Sequence, residues 1–153
     1  MATILGLNCE LFKRTAASSY GTPSYTAIDA VKDANYEITV NEVDASRRGS
    51  GGWRQNETTL KEGTLNVTFI KDKDDAMFLE VETAFQANNG MELVAYDGGN
   101  ASGSDGLDAW WKVTSWNETQ DLEGVVIIEA VFRIAPDADL NPTFVSDTLP
   151  TSR

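Results

Sequence analysis

The chain has 153 residues, 41% hydrophobic and 24% charged, with 24 acidic residues against 12 basic ones for a net charge of −12. That length suits one ordinary domain with its own core, and the acidic excess argues against ordinary nucleic-acid binding, which relies on Lys and Arg to neutralise phosphates, and against anionic membrane surfaces. The sequence contains no histidine, which removes Ser-His-Asp and Cys-His catalysis, the usual zinc sites and the neutral-pH proton shuttle, so no enzyme is expected.

Residues 2–12 alternate loosely and predict a strand, in which the single cysteine, Cys9, reads as a small buried hydrophobe with no disulfide partner. The N-terminus lacks the basic segment and the apolar length of a signal peptide, and no stretch approaches the ~20 apolar residues of a membrane span. The expectation is therefore synthesis in the cytoplasm and no membrane partner. Lys13 to Thr26 read as a loop, followed by a short strand from Ala27 to Val31. Tyr36, Ile38 and Val40 then alternate with Glu37, Thr39 and Asn41, the period-two pattern of a half-buried strand. A break from Asp44 to Gly52 carries Arg47-Arg48-Gly49-Ser50-Gly51-Gly52, an exposed loop by composition, and Trp53 restarts ordered chain.

A second alternation sets Leu65, Val67 and Phe69 inward against Thr64, Asn66 and Thr68. One helix is predicted over about residues 73–88, with Asp72 as N-cap, Asp74 and Asp75 in its first turn, and Phe78, Val81 and Phe85 on its apolar stripe. Asn88-Asn89-Gly90 supplies the stop. Met91 to Tyr96 is a short strand, Asp97 to Gly106 a glycine-rich connection, and Leu107 to Trp116 and Gly124 to Ile134 a hairpin through Asn117 to Glu123. In the last strand Val126, Ile128, Ala130, Phe132 and Ile134 share a face, yet the other face is also partly apolar. Such a strand lies between two layers or against a neighbouring subunit. From Pro136 the composition turns to Asp, Pro, Thr and Ser, an extended tail whose Phe144 and Leu149 could dock on a partner. The fold class is mostly β, a β-sandwich or flattened barrel with one helix, with a single domain over residues 1–136 and a tail over 137–153.

Chemistry-bearing motifs are scarce. No phosphate-cradling glycine motif occurs, and Asp97 to Asp108 lacks the ligand order of a calcium loop. The sequons at Asn56, Asn66, Asn100 and Asn117 read as polar strand and loop residues in the absence of a secretion signal. On a strand Trp110 and Trp116 share a face while Trp111 points the other way. The group is either a sugar-binding platform or cross-strand packing. No metal or cofactor is assigned.

The order of these pieces resembles the tail tube (major tail) proteins of tailed bacteriophages and related particles. The resemblance is carried by Val31-Lys32-Asp33-Ala34-Asn35-Tyr36-Glu37-Ile38-Thr39-Val40, then by Glu42 to Arg54 with its acidic, Ser-Arg and Gly-Trp-Arg character, and by Thr59-Leu60-Lys61-Glu62-Gly63-Thr64-Leu65. Val113-Thr114-Ser115-Trp116 and Asp121-Leu122-Glu123-Gly124 before a long hydrophobic strand complete it, so that it covers roughly residues 3 to 136. The proline-containing tail and the acidic excess depart from the pattern. The resemblance implies a tail-tube-like β-sandwich that assembles, typically as six copies, into rings stacked as the hollow virion tube through which DNA passes without specific binding. It also implies a tape measure protein, a tail terminator and a tail tip or baseplate as partners. On that expectation Glu37, Thr39 and Asn41 face the lumen, while Asp44, Arg47, Arg48, Trp53 and Arg54 belong to a loop that reaches the next subunit or ring. The competing readings are a monomeric carbohydrate- or ligand-binding β-sandwich module, and a related terminator or secretion-system tube protein.

Overall fold

The computed structural model describes residues 10–14, 25–97, 105–135 and 142–146. Cys9, Asn100, Leu149 and most of the loop read over 13–26 lie outside the described residues. Strands β1 (Glu10–Arg14), β2 (Tyr25–Ala27), β3 (Val31–Asp44) and β4 (Asn56–Ile70) precede the helix α1 (Ala76–Gln86), and β5 (Met91–Tyr96), β6 (Asp105–Gln120), β7 (Val126–Ile134) and β8 (Thr143–Ser146) follow it. All strand pairs are antiparallel, in the order β2-β1-β5-β6-β7-β4-β3, and the sheet curls into a half-barrel. The mostly β architecture with one helix is the expected fold class. Strand β8, in the segment read as an extended tail, pairs its backbone with Asp105–Asp108 of β6, beyond the point where β7 ends opposite Trp111.

The alternation read in β4 and β7 has its physical cause in the helix. Leu65, Val67 and Phe69 of β4 and Ile128, Ala130 and Phe132 of β7 all turn to the inner face, where Met77, Phe78 and Val81 of α1 cover them. Phe69 and Phe78 meet with ring centroids 5.4 Å apart, and Phe85 stacks on Trp116 at 5.0 Å and 9°. A smaller cluster of Phe12, Val94 and Tyr96 lies on the opposite face of β1 and β5.

Three local readings are corrected. The helix starts later than its acidic run suggests, because Asp75, in extended conformation, is the N-cap and accepts from the Met77 N–H at 3.1 Å. Asp72 instead caps the preceding turn, accepting from Asp74 N–H at 2.9 Å. The second Asp75 oxygen accepts from the Ala30 N–H at 2.9 Å, so one carboxylate both starts the helix and pins it to the turn before β3. Asp75→Ala is expected to lower stability by about 1–3 kcal/mol, a lost cap plus an orphaned amide, read as a shift in the urea midpoint. At the other end Asn88 adopts φ 59°, and Asn88 N–H and Asn89 N–H donate to the Phe85 and Ala84 carbonyls, a left-handed stop of the Schellman type.

The second correction concerns strand length. Strands β3 and β4 are 14 and 15 residues long, well beyond the alternating runs Tyr36–Val40 and Thr64–Phe69 that mark them, and the break expected from Asp44 to Gly52 is the tip between them, Ala45–Gln55. The third concerns the tryptophans. Between Val113 and Ser115 strand β6 advances two residues while β7 advances one, which makes Thr114 the extra residue of a β-bulge. Its hydroxyl donates to the Val131 carbonyl at 3.2 Å. A one-residue insertion flips every later side chain to the other face. Trp116 therefore joins Trp111 and Val113 inside, and Trp110 is left on the other face.

Candidate assembly surface

Strand β7 covers β4 only over Thr64–Ile70, and Asn56–Gly63 pairs with β3 alone. The two strands therefore leave the body as a two-stranded arm, which at ~3.3 Å per residue reaches roughly 20–25 Å beyond it. Gly63 marks the root. A Cβ there would stand 2.4 Å from Ile134 Cδ1 and 3.5 Å from Trp111, so the last core side chains fold directly over that backbone.

Beyond the root the arm keeps an apolar pattern without a core to cover it. Tyr36 pairs with core Leu65, and Ile38 and Val40 continue the same inner face outward, where Tyr36 and Val40 are exposed. Val43, Leu60 (74% exposed) and Trp53 (77%) add to this apolar surface. Isolated exposed apolar residues are ordinary, but a run of them along one projecting ribbon marks an interaction surface.

The tip is built from local hydrogen bonds. Asp44 accepts from the Ser46 N–H at 2.8 Å, Ser46 Oγ accepts from Gln55 N–H at 2.7 Å, and Ala45 N–H donates to the Gln55 carbonyl at 2.8 Å. The Ser46 hydrogen bonds hold the Asp44 carboxyl below its ordinary pKa. Arg47 and Arg48 follow at a short 3-10 turn, Gly51 and Gly52 supply the positive φ that reverses the chain, and Arg54 stands 3.8 Å from Asp44. All five residues expected of a reaching loop, Asp44, Arg47, Arg48, Trp53 and Arg54, are thus gathered at one exposed tip.

Glu37 and Thr39 lie opposite Thr64 and Glu62, on the sheet face that turns away from the helix. With them run Asn35, Asn66 and Thr68, then Glu129 and Arg133 of β7 and Lys112 of β6, a polar face in which Val131 is half-buried. Asn41 does not share that regular ladder. It falls where the register shifts between Val40 and Glu42, and its carbonyl accepts from the Thr59 hydroxyl at 3.1 Å.

At the far end of β4 and β7, the turn between β6 and β7 carries a fully exposed Leu122 flanked by Asp121 and Glu123. Beside it Lys71 Nζ donates to Glu118 at 2.8 Å, which raises the lysine pKa and lowers the carboxyl pKa from its ordinary 4.5. A carboxyl that binds its proton more weakly when folded contributes stability above its unfolded pKa and loses it as pH falls through the folded one. Glu118→Gln is therefore expected to reduce the drop in urea midpoint between pH 7 and pH 3; an unchanged drop would remove this pair from the acid response.

The tryptophans form no shared platform. Trp111 and Trp116 point into the core, and Trp110 lies over Gly90, walling a cleft of about 450 Å³ with Arg14, Glu80 and Glu92. Asp97 and Asp105 close the neck of the glycine-rich connection through backbone and side-chain hydrogen bonds of 3.0 and 2.9 Å. The sequence reading missed the buried charges. Lys13 pairs with Glu80 at 2.8 Å, and Arg14, Glu92 and Asp108 are buried on β1, β5 and β6. Only the alternation of those strands could have hinted at them.

No family model matches the chain, and no curated protein sequence does either. Solved structures do. The chain is similar to the tail of an empty gene transfer agent particle, refined with helical C6 symmetry, at 14% identity and a TM-score of 0.74, covering 94% of this chain and all of that one. It is similar to the SPP1 tail tube at 15% identity and a TM-score of 0.72, covering 95% of this chain and 81% of that one. A weaker likeness, at 10% identity and a TM-score of 0.56, joins it to a chain of the anti-feeding prophage baseplate, covering 92% and 93%. The chain has the tail tube fold.

Proposed function

We propose that this chain is a structural, non-enzymatic tail tube subunit that assembles with copies of itself into rings, six to a ring, stacked as the hollow tube of a virion tail. The observation that carries this reading is the arm: a long two-stranded ribbon with exposed apolar residues, on a fold shared with subunits of assembled tails. A ribbon without a core of its own is marginal in water and gains stability by packing on a partner. Free strand edges are likewise covered when subunits join.

Under this reading Glu37 and Thr39, with the polar face they share, line the channel through which DNA is delivered, and the acidic excess keeps a polyanion from adhering during passage. Tape measure, terminator and tip or baseplate proteins are the partners such a tube requires, and the virion is its place. Negative-stain microscopy of the purified chain, concentrated at moderate salt, is expected to show stacked rings or tubes with a central hole. A persistent monomer whose tryptophan fluorescence is quenched by a soluble glycan would favour the ligand-binding module instead.

A further inference from the structure

The two ends of the β4–β7 layer carry opposite charge. At the arm tip, from Asp44 to Gln55, three arginines stand against one aspartate, in a chain whose net charge is −12. At the far end, the Lys71–Asp75 turn and the Glu118–Glu123 tip together hold six carboxylates against two lysines. Glu118 is held by Lys71, and Asp75 and Asp72 are engaged in capping, whereas Asp121 and Glu123 make no ion pair among the described residues. Each end also presents one large exposed apolar side chain, Trp53 on the basic tip and Leu122 on the acidic one.

The antiparallel register fixes how far apart these ends are. Strand β4 begins at the arm tip and ends at Ile70, opposite Ile127 and next to the acidic turn. Its 15 residues at ~3.3 Å each separate the ends by roughly 45–50 Å. The two patches therefore cannot meet within one subunit. A surface that complements a different surface of an identical copy makes a head-to-tail contact, which propagates instead of closing on itself as a dimer.

From this we infer that the receiving surface for the arm is the acidic β6–β7 turn of a second copy, with Arg47 and Arg48 meeting Asp121 and Glu123, and Trp53 seated against Leu122. The inference rests on the assembly reading above and adds which surfaces join one ring to the next. Single exposed ion pairs contribute little, but the contact repeats around every ring and sets the stacking register. The polarity of the stack follows: each ring offers basic tips on one side and acidic turns on the other.

Charge reversal tests it, starting from conditions in which the wild-type chain forms tubes; a wild type that forms none defeats the assembly reading itself. Arg47→Glu with Arg48→Glu, and separately Asp121→Lys with Glu123→Lys, are expected to abolish tubes while leaving rings and the thermal midpoint intact. Combining all four substitutions in one chain is expected to restore tubes, because the complementarity returns with its sign inverted. Wild-type tubes should also shorten as salt rises, since exposed charges are screened within a Debye length of about 10 Å at 0.1 M. Tubes of normal length from either reversed pair, or a four-fold variant that stops at rings, would overturn the proposed contact.

Discussion

Trp111→Ala is expected to destabilise the folded subunit by about 3–5 kcal/mol, the cost of emptying a large buried site. The indole is 2% exposed, packs in the main cluster with Val113 and Phe132, and lies over Gly63 at the root of the arm. A small domain is stable by only about 5–15 kcal/mol, so the variant would sit near the edge of unfolding. Trp116→Ala should cost less than that but more than a rim residue, because the ring is only partly buried yet stacks on Phe85 and lies near Phe69 and Phe78. Trp110→Ala removes a half-buried ring from the rim of a cleft and should cost within about 1–2 kcal/mol. Urea denaturation of the three variants checks the bulge directly. A result in which Trp110 and Trp116 match each other and Trp111 stands apart would mean that β6 alternates without interruption.

Replacing Val40–Lys61 by Asn-Gly is expected to leave a folded subunit that still forms rings and to eliminate their stacking into tubes. Thr39 and Glu62 are direct partners, so a two-residue turn of the type that Asn-Gly favours can join them without disturbing the ladder below. Every residue removed is exposed or, at Ser50, lies outside the described side chains, and Gly63, Leu65 and the rest of the core are kept. The urea midpoint should therefore stay close to that of the full chain. Sedimentation velocity should show loss of all species larger than a ring. Tubes of ordinary length from the shortened chain would show that the arm is not the stacking element, and loss of folding would show that it supports the core after all.

The alternating runs of β4 and β7 and the apolar stripe of α1 were legible because period-two and period-3.6 patterns are written in neighbouring residues. Leu65, Val67 and Phe69, and Ile128, Ala130 and Phe132, lie inside as their spacing dictates, with Phe78 and Val81 across from them. The basic tip was legible for the same local reason: Arg47, Arg48 and the glycines after them are consecutive. Helix entry was less so, since Asp72, Asp74 and Asp75 are equally good caps and the Ala30 amide, 45 positions away, selects Asp75.

What tertiary structure alone decided are the quantities set by pairing between distant segments. The length of the arm depends on where β7 stops covering β4, and no pattern within residues 36–63 records that. The facing of Trp116 depends on one extra residue at Thr114, a matter of register with β7, so that alternation read along a single strand put it on the wrong side. Opposite charges at the two ends of one long strand became a pair of matching surfaces only when the antiparallel register set them roughly 45–50 Å apart and facing away from each other.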